Sequence, residues 1–125
     1  MNLTGMRVLV VEDDPSTREL LVTILELCGA EVVATDSVAE AMTLVASAPP
    51  EAIVSDISMP DEDGYALIRR LRTQGLNIPV VALTAHRYEH TRQRTLAAGF
   101  REHLTKPVEP ERLCETVAAF AGGPR

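Results

Sequence analysis

Glu12-Asp13-Asp14, Asp56, Thr84 and Lys106 are the residues of this 125-residue sequence whose types could act together on one chemical group. Carboxylates brought within about 4 Å repel by roughly 4 kcal/mol per pair at a surface-like dielectric. Such a cluster persists if it holds a hard cation or if one member keeps its proton. Oxygen ligands with exchangeable waters suit Mg²⁺ or Mn²⁺. Lys106, the single lysine beside eleven arginines, offers a compact ammonium, and Thr84 offers a hydroxyl. A carboxylate nucleophile, a divalent cation, an ammonium and a hydroxyl donor are the parts needed to make and hold an acyl phosphate. The residue types therefore point to phosphoryl transfer onto Asp56.

These residues are scattered over some ninety positions, so a fold must bring them together. Short apolar or β-branched runs at Arg7–Val11, Glu31–Ala34, Ala52–Ser55, Val80–Leu83 and Phe100–Leu104 read as strands. Between them the spacing is helical. Leu20, Leu21, Ile24, Leu25 and Cys28 follow one face up to Gly29, and Asp14 before Pro15 suits an N-cap. Ser37 and Glu40 form a capping-box pattern ahead of Ala41, Leu44, Val45 and Ala48, and Pro49-Pro50 ends that helix. Leu67, Ile68 and Leu71 make a third stripe closed by Gly75. Arg87–Ala97 is a weaker, polar helix ending at Gly99, and Pro110 opens a last one with Leu113, Cys114, Val117 and Phe120 inward.

Five strands alternating with five helices imply an α/β fold, a parallel sheet covered on both faces. Right-handed crossovers send all strand C-termini to one edge, where doubly wound sheets place their ligands. Glu12 and Asp13, Asp56, Thr84 and Lys106 each follow or end a strand. If the first and third strands are neighbours, Glu12, Asp13 and Asp56 converge.

Composition bounds the rest. A hydrophobic share of 46% with 24% charged residues belongs to an ordinary globular chain. One domain over residues 1–125 is expected, with its core from about 6 to 120 and frayed tails at 1–5 and 121–125. No apolar run approaches the ~20 residues of a membrane span, and no cationic start precedes a long apolar block. The net charge of −6 disfavours phosphate-backbone binding, so no nucleic-acid partner is expected. Cys28 and Cys114 lie far apart without a C-x-x-C pair; two half-buried free thiols in a reducing cytoplasm are expected.

The stretches VLVVEDDP, VSDISMPDEDGYALIRRLR, VVALTA and HLTKPV together resemble the response-regulator receiver family, in order and at the family's spacing, from about Arg7 to Phe120. The resemblance implies a flavodoxin-like (βα)₅ fold of strand order 2-1-3-4-5. It casts Asp56 as the residue phosphorylated by a phosphohistidine, with a histidine kinase or histidine phosphotransfer protein as donor. Asp13 would touch Mg²⁺ directly, Glu12 through water, and the Ser58 carbonyl would complete the site. Thr84 matches the switching hydroxyl, Ala85 the small residue beside it, and Lys106 the lysine that pairs with the phosphoryl group. The Lys106–Pro107 bond would be cis. Ser58 and His86 match positions that tune phosphoryl lifetime. Output would pass to a downstream protein effector through helix four, strand five and helix five, with homodimerisation on phosphorylation left open. The wording is most like receivers of hybrid sensor kinases.

Two positions depart from the family's commonest pattern, one of them mildly: Glu12 stands where aspartate is commoner, a replacement the family often shows. His103 stands where receivers usually carry tyrosine or phenylalanine, and a ring that titrates near neutral pH changes what switching costs. A pseudo-receiver that binds partners without phosphorylation is the alternative reading, supported by His103 alone. A haloacid-dehalogenase-type phosphatase would need an aspartate where Ser58 stands. A flavodoxin-like cofactor binder would need a phosphate-cradling first loop, and three carboxylates repel phosphate there. Asp61-Glu62-Asp63-Gly64 fails the register of a calcium loop and reads as a solvated acidic turn. His86, Glu89 and His90 match H-x-x-E-H, but a short helix beside Thr84 leaves no room for a protease cleft; these residues fit a partner-binding surface better.

Overall fold

The computed structural model describes residues 2–85 and 90–120. Five strands, β1 (Arg7–Val11), β2 (Glu31–Thr35), β3 (Ala52–Asp56), β4 (Val80–Thr84) and β5 (Glu102–Thr105), alternate with five helices among the described residues. The helices are α1 (Pro15–Leu27), α2 (Val38–Ser47), α3 (Gly64–Thr73), α4 (Arg92–Ala98) and α5 (Pro110–Ala118). The sheet is parallel throughout and runs β2-β1-β3-β4-β5. This is the flavodoxin-like doubly wound order expected from the resemblance.

Two apolar layers cover the sheet because successive strand residues face opposite sides. Val8 and Val10 of β1, with Val54 and Leu83, pack under Leu21, Ile24 and Leu25 of α1 and Leu113 and Val117 of α5. Leu9 and Val11, with Ile53 and Ala82, pack under Ala41 and Val45 of α2 and Leu67, Ile68 and Leu71 of α3. The central strands β3 and β4 are buried at every position, which is why they read as continuous apolar runs.

Local signals set the helix ends. Asp14 caps α1, its carboxylate accepting from the Thr17 amide at 2.8 Å, and Pro15 opens the helix. Ser37 caps α2 by accepting from the Glu40 amide at 3.2 Å. The reciprocal half of that capping box is not made: the Glu40 carboxylate accepts from the Thr35 hydroxyl instead.

Four expectations need correcting. The fifth strand starts at Glu102, not Phe100. Gly99 ends α4 in the left-handed region at φ 115°, and the Phe100 amide still closes that helix on the Thr95 carbonyl, 3.2 Å. Phe100 is thus a buried plug in the α2–α3 layer rather than a strand residue. Within the described residues the fourth helix runs Arg92–Ala98, because Thr91 caps it by accepting from the Arg94 amide; residues 87–89 of the expected span lie outside those described. Residues 2–5 are not frayed: Leu3 is fully buried and its amide donates to the Cys28 carbonyl, 2.7 Å. The cysteines are not free thiols. Cys28, at the end of α1, and Cys114, in α5, are joined as a disulfide with Cα atoms 6.7 Å apart. A separation of 86 residues carries no such signal in the sequence. Only the packing of α1 beside α5 on one face of the sheet creates the pair.

Candidate functional site

The strand order places the C-terminal ends of β1 and β3 side by side, with Val11 opposite Ser55. The next residues are therefore neighbours: Glu12 and Asp13 beyond β1, and Asp56 at the end of β3. Their carboxylates supply three oxygens that lie within 4.8 Å of one another. Glu12 is completely buried, Asp56 nearly so, and Asp13 is half-buried.

Lys106 reaches in from the far side. Its backbone amide donates to the Thr84 carbonyl at 2.8 Å, which ties the segment after β5 to the end of β4. Its Nζ donates to Glu12 Oε1 at 2.8 Å and stands 3.4 Å from Asp56 Oδ1. The Lys106–Pro107 peptide is cis, as the resemblance implied. The other Glu12 oxygen accepts from the Asp14 amide at 3.2 Å.

One ammonium does not neutralise this set. Burial raises Asp56 above the ordinary carboxylate range; Lys106 opposes that shift and Asp13 adds to it. Burial likewise raises Glu12, against the hydrogen bond from Lys106 and with the field of Asp56. Burial alone would lower Lys106, but its bond to Glu12 and the field of Asp56 outweigh that and raise it, so it stays an ammonium. Three crowded oxygen donors with surplus negative charge form a site that a hard divalent cation fits.

Thr84 is buried at the end of β4, while Ala85 beside it and Ser58, two residues past Asp56, are exposed. The side chains of Ser58 and Ala85 are thus outside the buried carboxylate–lysine cluster. His103 lies on β5 opposite Ala82, and its amide donates to Glu102 at 3.1 Å. Its Nε2 is buried without a hydrogen-bond partner among the described residues. Burial lowers its pKa, helped by Arg92 and opposed by Glu102. A hollow of about 220 Å³ runs past His103 between Pro107 and Arg112. His86 and Glu89 lie outside the described residues.

Two positions escaped the sequence reading. A Cβ on Gly64 would lie 2.8 Å from the Asp56 carbonyl oxygen and 3.0 Å from Ile57 Cα, so the first residue of α3 must be glycine for that helix to seat against the end of β3. DEDGY carries the signal: a glycine directly after a capping aspartate, at the start of an apolar helical stripe. Arg18 donates to the carbonyls of Glu12 (2.9 Å) and Asp13 (3.5 Å), bracing the acidic loop from the first turn of α1. Its place four residues after the Asp14 cap could have suggested this, since helical side chains lean toward the N-terminus. The acidic turn is also less solvated than expected: Asp63 caps α3 through the Ala66 amide, 2.9 Å, and Glu62 pairs with Arg70 at 2.5 Å.

Residues 8–118 match the family described as the response regulator receiver domain. An uncharacterised 14.6 kDa protein of Leptolyngbya boryana is 43% identical over an alignment of 120 residues that covers 94% of this chain and 92% of that protein. The sensor histidine kinase RcsC of Salmonella typhi is 35% identical over 116 residues, 93% of this chain but 12% of the kinase. This chain therefore spans a small part of that relative's length. Among solved structures, the receiver domain of a Pseudomonas aeruginosa sensor histidine kinase, with a magnesium ion coordinated in its active site cleft, is similar at a TM-score of 0.87. The two are 28% identical, over 96% of this chain and all of that one.

Proposed function

This chain belongs to the response regulator receiver family of two-component signalling, and from that premise we propose that it accepts a phosphoryl group on Asp56 from a phosphohistidine. The observation that carries the reading is the convergence of Glu12, Asp13 and Asp56 with one ammonium held between two of them. An Asp56 oxygen attacks the phosphorus in line, the nitrogen–phosphorus bond breaks, and the imidazole of the donor leaves as an acyl phosphate forms. Lys106 stands where it can pair with an incoming phosphoryl oxygen, because its Nζ already lies 3.4 Å from Asp56. Asp13, Asp56, the Ser58 carbonyl and, through water, Glu12 would hold Mg²⁺ or Mn²⁺, which when bound offsets the carboxylate charge and that of the phosphoryl oxygens.

The donor is a histidine kinase or a histidine phosphotransfer protein, on the cytoplasmic side, and the whole chain acts as one receiver unit. Phosphorylation biases Thr84, Ala85 and His103 between two arrangements, and the α4–β5–α5 face passes that change to a protein effector. Ser58 and His86 set how long the acyl phosphate lasts. The chain turns over only its own phosphoryl group and no separate substrate.

Intact mass after incubation with a small acyl-phosphate donor and Mg²⁺ tests this. The expected gain is one phosphoryl group, absent in Asp56→Asn and in a metal-free control. No gain in the folded wild type, or an unchanged gain in Asp56→Asn, overturns it.

A further inference from the structure

We propose that Cys28 and Cys114 form a reversible redox site, a disulfide that a dithiol reductant opens and that fixes α5 to α1 when closed. The proposal stands whether or not Asp56 takes a phosphoryl group.

The two sulfurs differ in access. Cys114 is 1% exposed, while Cys28 is half-buried and flanked by the exposed Leu27 and Gly29. A reductant's thiolate therefore reaches the Cys28 sulfur, the S–S bond breaks, and Cys114 departs as a thiolate that takes up a proton. The second thiol of the reductant then displaces Cys28 and becomes its partner's disulfide. The protein gains two electrons and two protons, and the reductant loses them. Glutathione disulfide, acting in the reverse sense through a mixed disulfide, closes the bond.

The bond sits at a three-way junction. The Leu3 amide donates to the Cys28 carbonyl, and at Gly29, φ 103°, a Cβ would stand 2.8 Å from the Thr4 hydroxyl. On the other side α5 offers Leu113 and Val117 to Leu21, Ile24 and Leu25 of α1. Helix α5 has nine residues, and its N-cap, Glu109, makes no side-chain capping bond. So short a helix draws its stability from docking, and the disulfide is the one covalent part of that docking. Opening it is expected to loosen α5, which begins four residues after Lys106, and to leave α3 unchanged.

The test uses the full chain treated with dithiothreitol or with glutathione disulfide. Alkylation by N-ethylmaleimide with intact-mass readout counts free thiols, and amide hydrogen exchange follows each helix. Expected are two adducts after dithiothreitol and none after glutathione disulfide. Exchange in α5 should be about tenfold or more faster in the reduced form, with α3 equal in both. Cys28→Ser, which changes the half-exposed partner and spares the packed one, should carry one adduct after dithiothreitol, one adduct or one bound glutathione after glutathione disulfide, and the fast α5 exchange after both. Two adducts under both treatments, none under both, linkage between molecules, or α5 exchange that ignores the redox state each overturn the proposal.

Discussion

Replacing Asp56 by asparagine should make the metal-free protein more stable at neutral pH. The oxygens of Asp13 and Glu12 lie within 4.8 Å of that of Asp56, so each pair costs about 3.5 kcal/mol at an effective dielectric of 20. The Lys106 ammonium at 3.4 Å returns about 5 kcal/mol on the same scale, which leaves about 2 kcal/mol against the ionised group before desolvation is counted. Water at the half-buried Asp13 screens part of this, so a gain of about 1–2 kcal/mol is expected, near 3–6 °C per kcal/mol in Tm. The amide keeps the shape of the carboxylate, and Glu12 keeps its 2.8 Å bond from Lys106. The sign with pH follows from linkage. Asp56 is raised in the fold, so the folded state binds its proton more tightly than the unfolded chain. Wild-type stability on this account is fully present below the ordinary value of 3.8 and falls as pH rises through the folded value. The gap between variant and wild type should therefore narrow from pH 7 to pH 4.5. Urea unfolding in EDTA at both pH values measures it, and added Mg²⁺ should raise the wild type more than the variant. A variant no more stable than wild type at pH 7, or a gap that ignores pH, refutes the reasoning.

Lys106→Met removes the ammonium that two buried carboxylates share, and should cost about 3 kcal/mol at pH 7 in EDTA. Urea midpoints should show part of that loss recovered at pH 5, as Glu12 and Asp56 take up protons. Gly64→Ala presses a methyl onto the Asp56 backbone, so a loss of about 1–3 kcal/mol and weaker Mg²⁺ binding are expected by thermal melts and calorimetric titration. His103→Phe should stabilise the fold increasingly as pH falls from 7.5 to 5. The lowered His103 pKa means that the unfolded chain takes up the proton first, so wild-type stability at this group is lost on acidification through 6.5. The difference between the two stability-versus-pH curves isolates that group from the carboxylates, whose trend is opposite.

Much of this was legible in the residues because it depends on local spacing. The apolar runs of β3 and β4 announce strands buried on both faces, and Asp14, Ser37 and Pro110 mark helix starts that the structure keeps. Chemistry-bearing residues directly after those runs are enough to put Glu12, Asp56, Thr84 and Lys106 on one edge, since all parallel strands end there. Where a local pattern had two outlets the reading slipped. Glu40 could accept from the Ser37 amide or from the Thr35 hydroxyl, and Phe100 is as good a plug for a layer as it is a strand residue.

Which residues could meet, and at which edge, follows from the order of residues alone, because strand period, helix caps and crossover handedness are set over a few residues. How they meet is a matter of packing between segments. Lys106 serves Glu12 first and Asp56 second, Gly64 is packed against the Asp56 backbone, His103 buries a nitrogen that has no partner among the described residues, and Cys28 finds Cys114 across 86 residues. Each of these depends on a distance between segments that share no local pattern, and such distances are fixed by the packing of whole layers rather than by the neighbours along the chain.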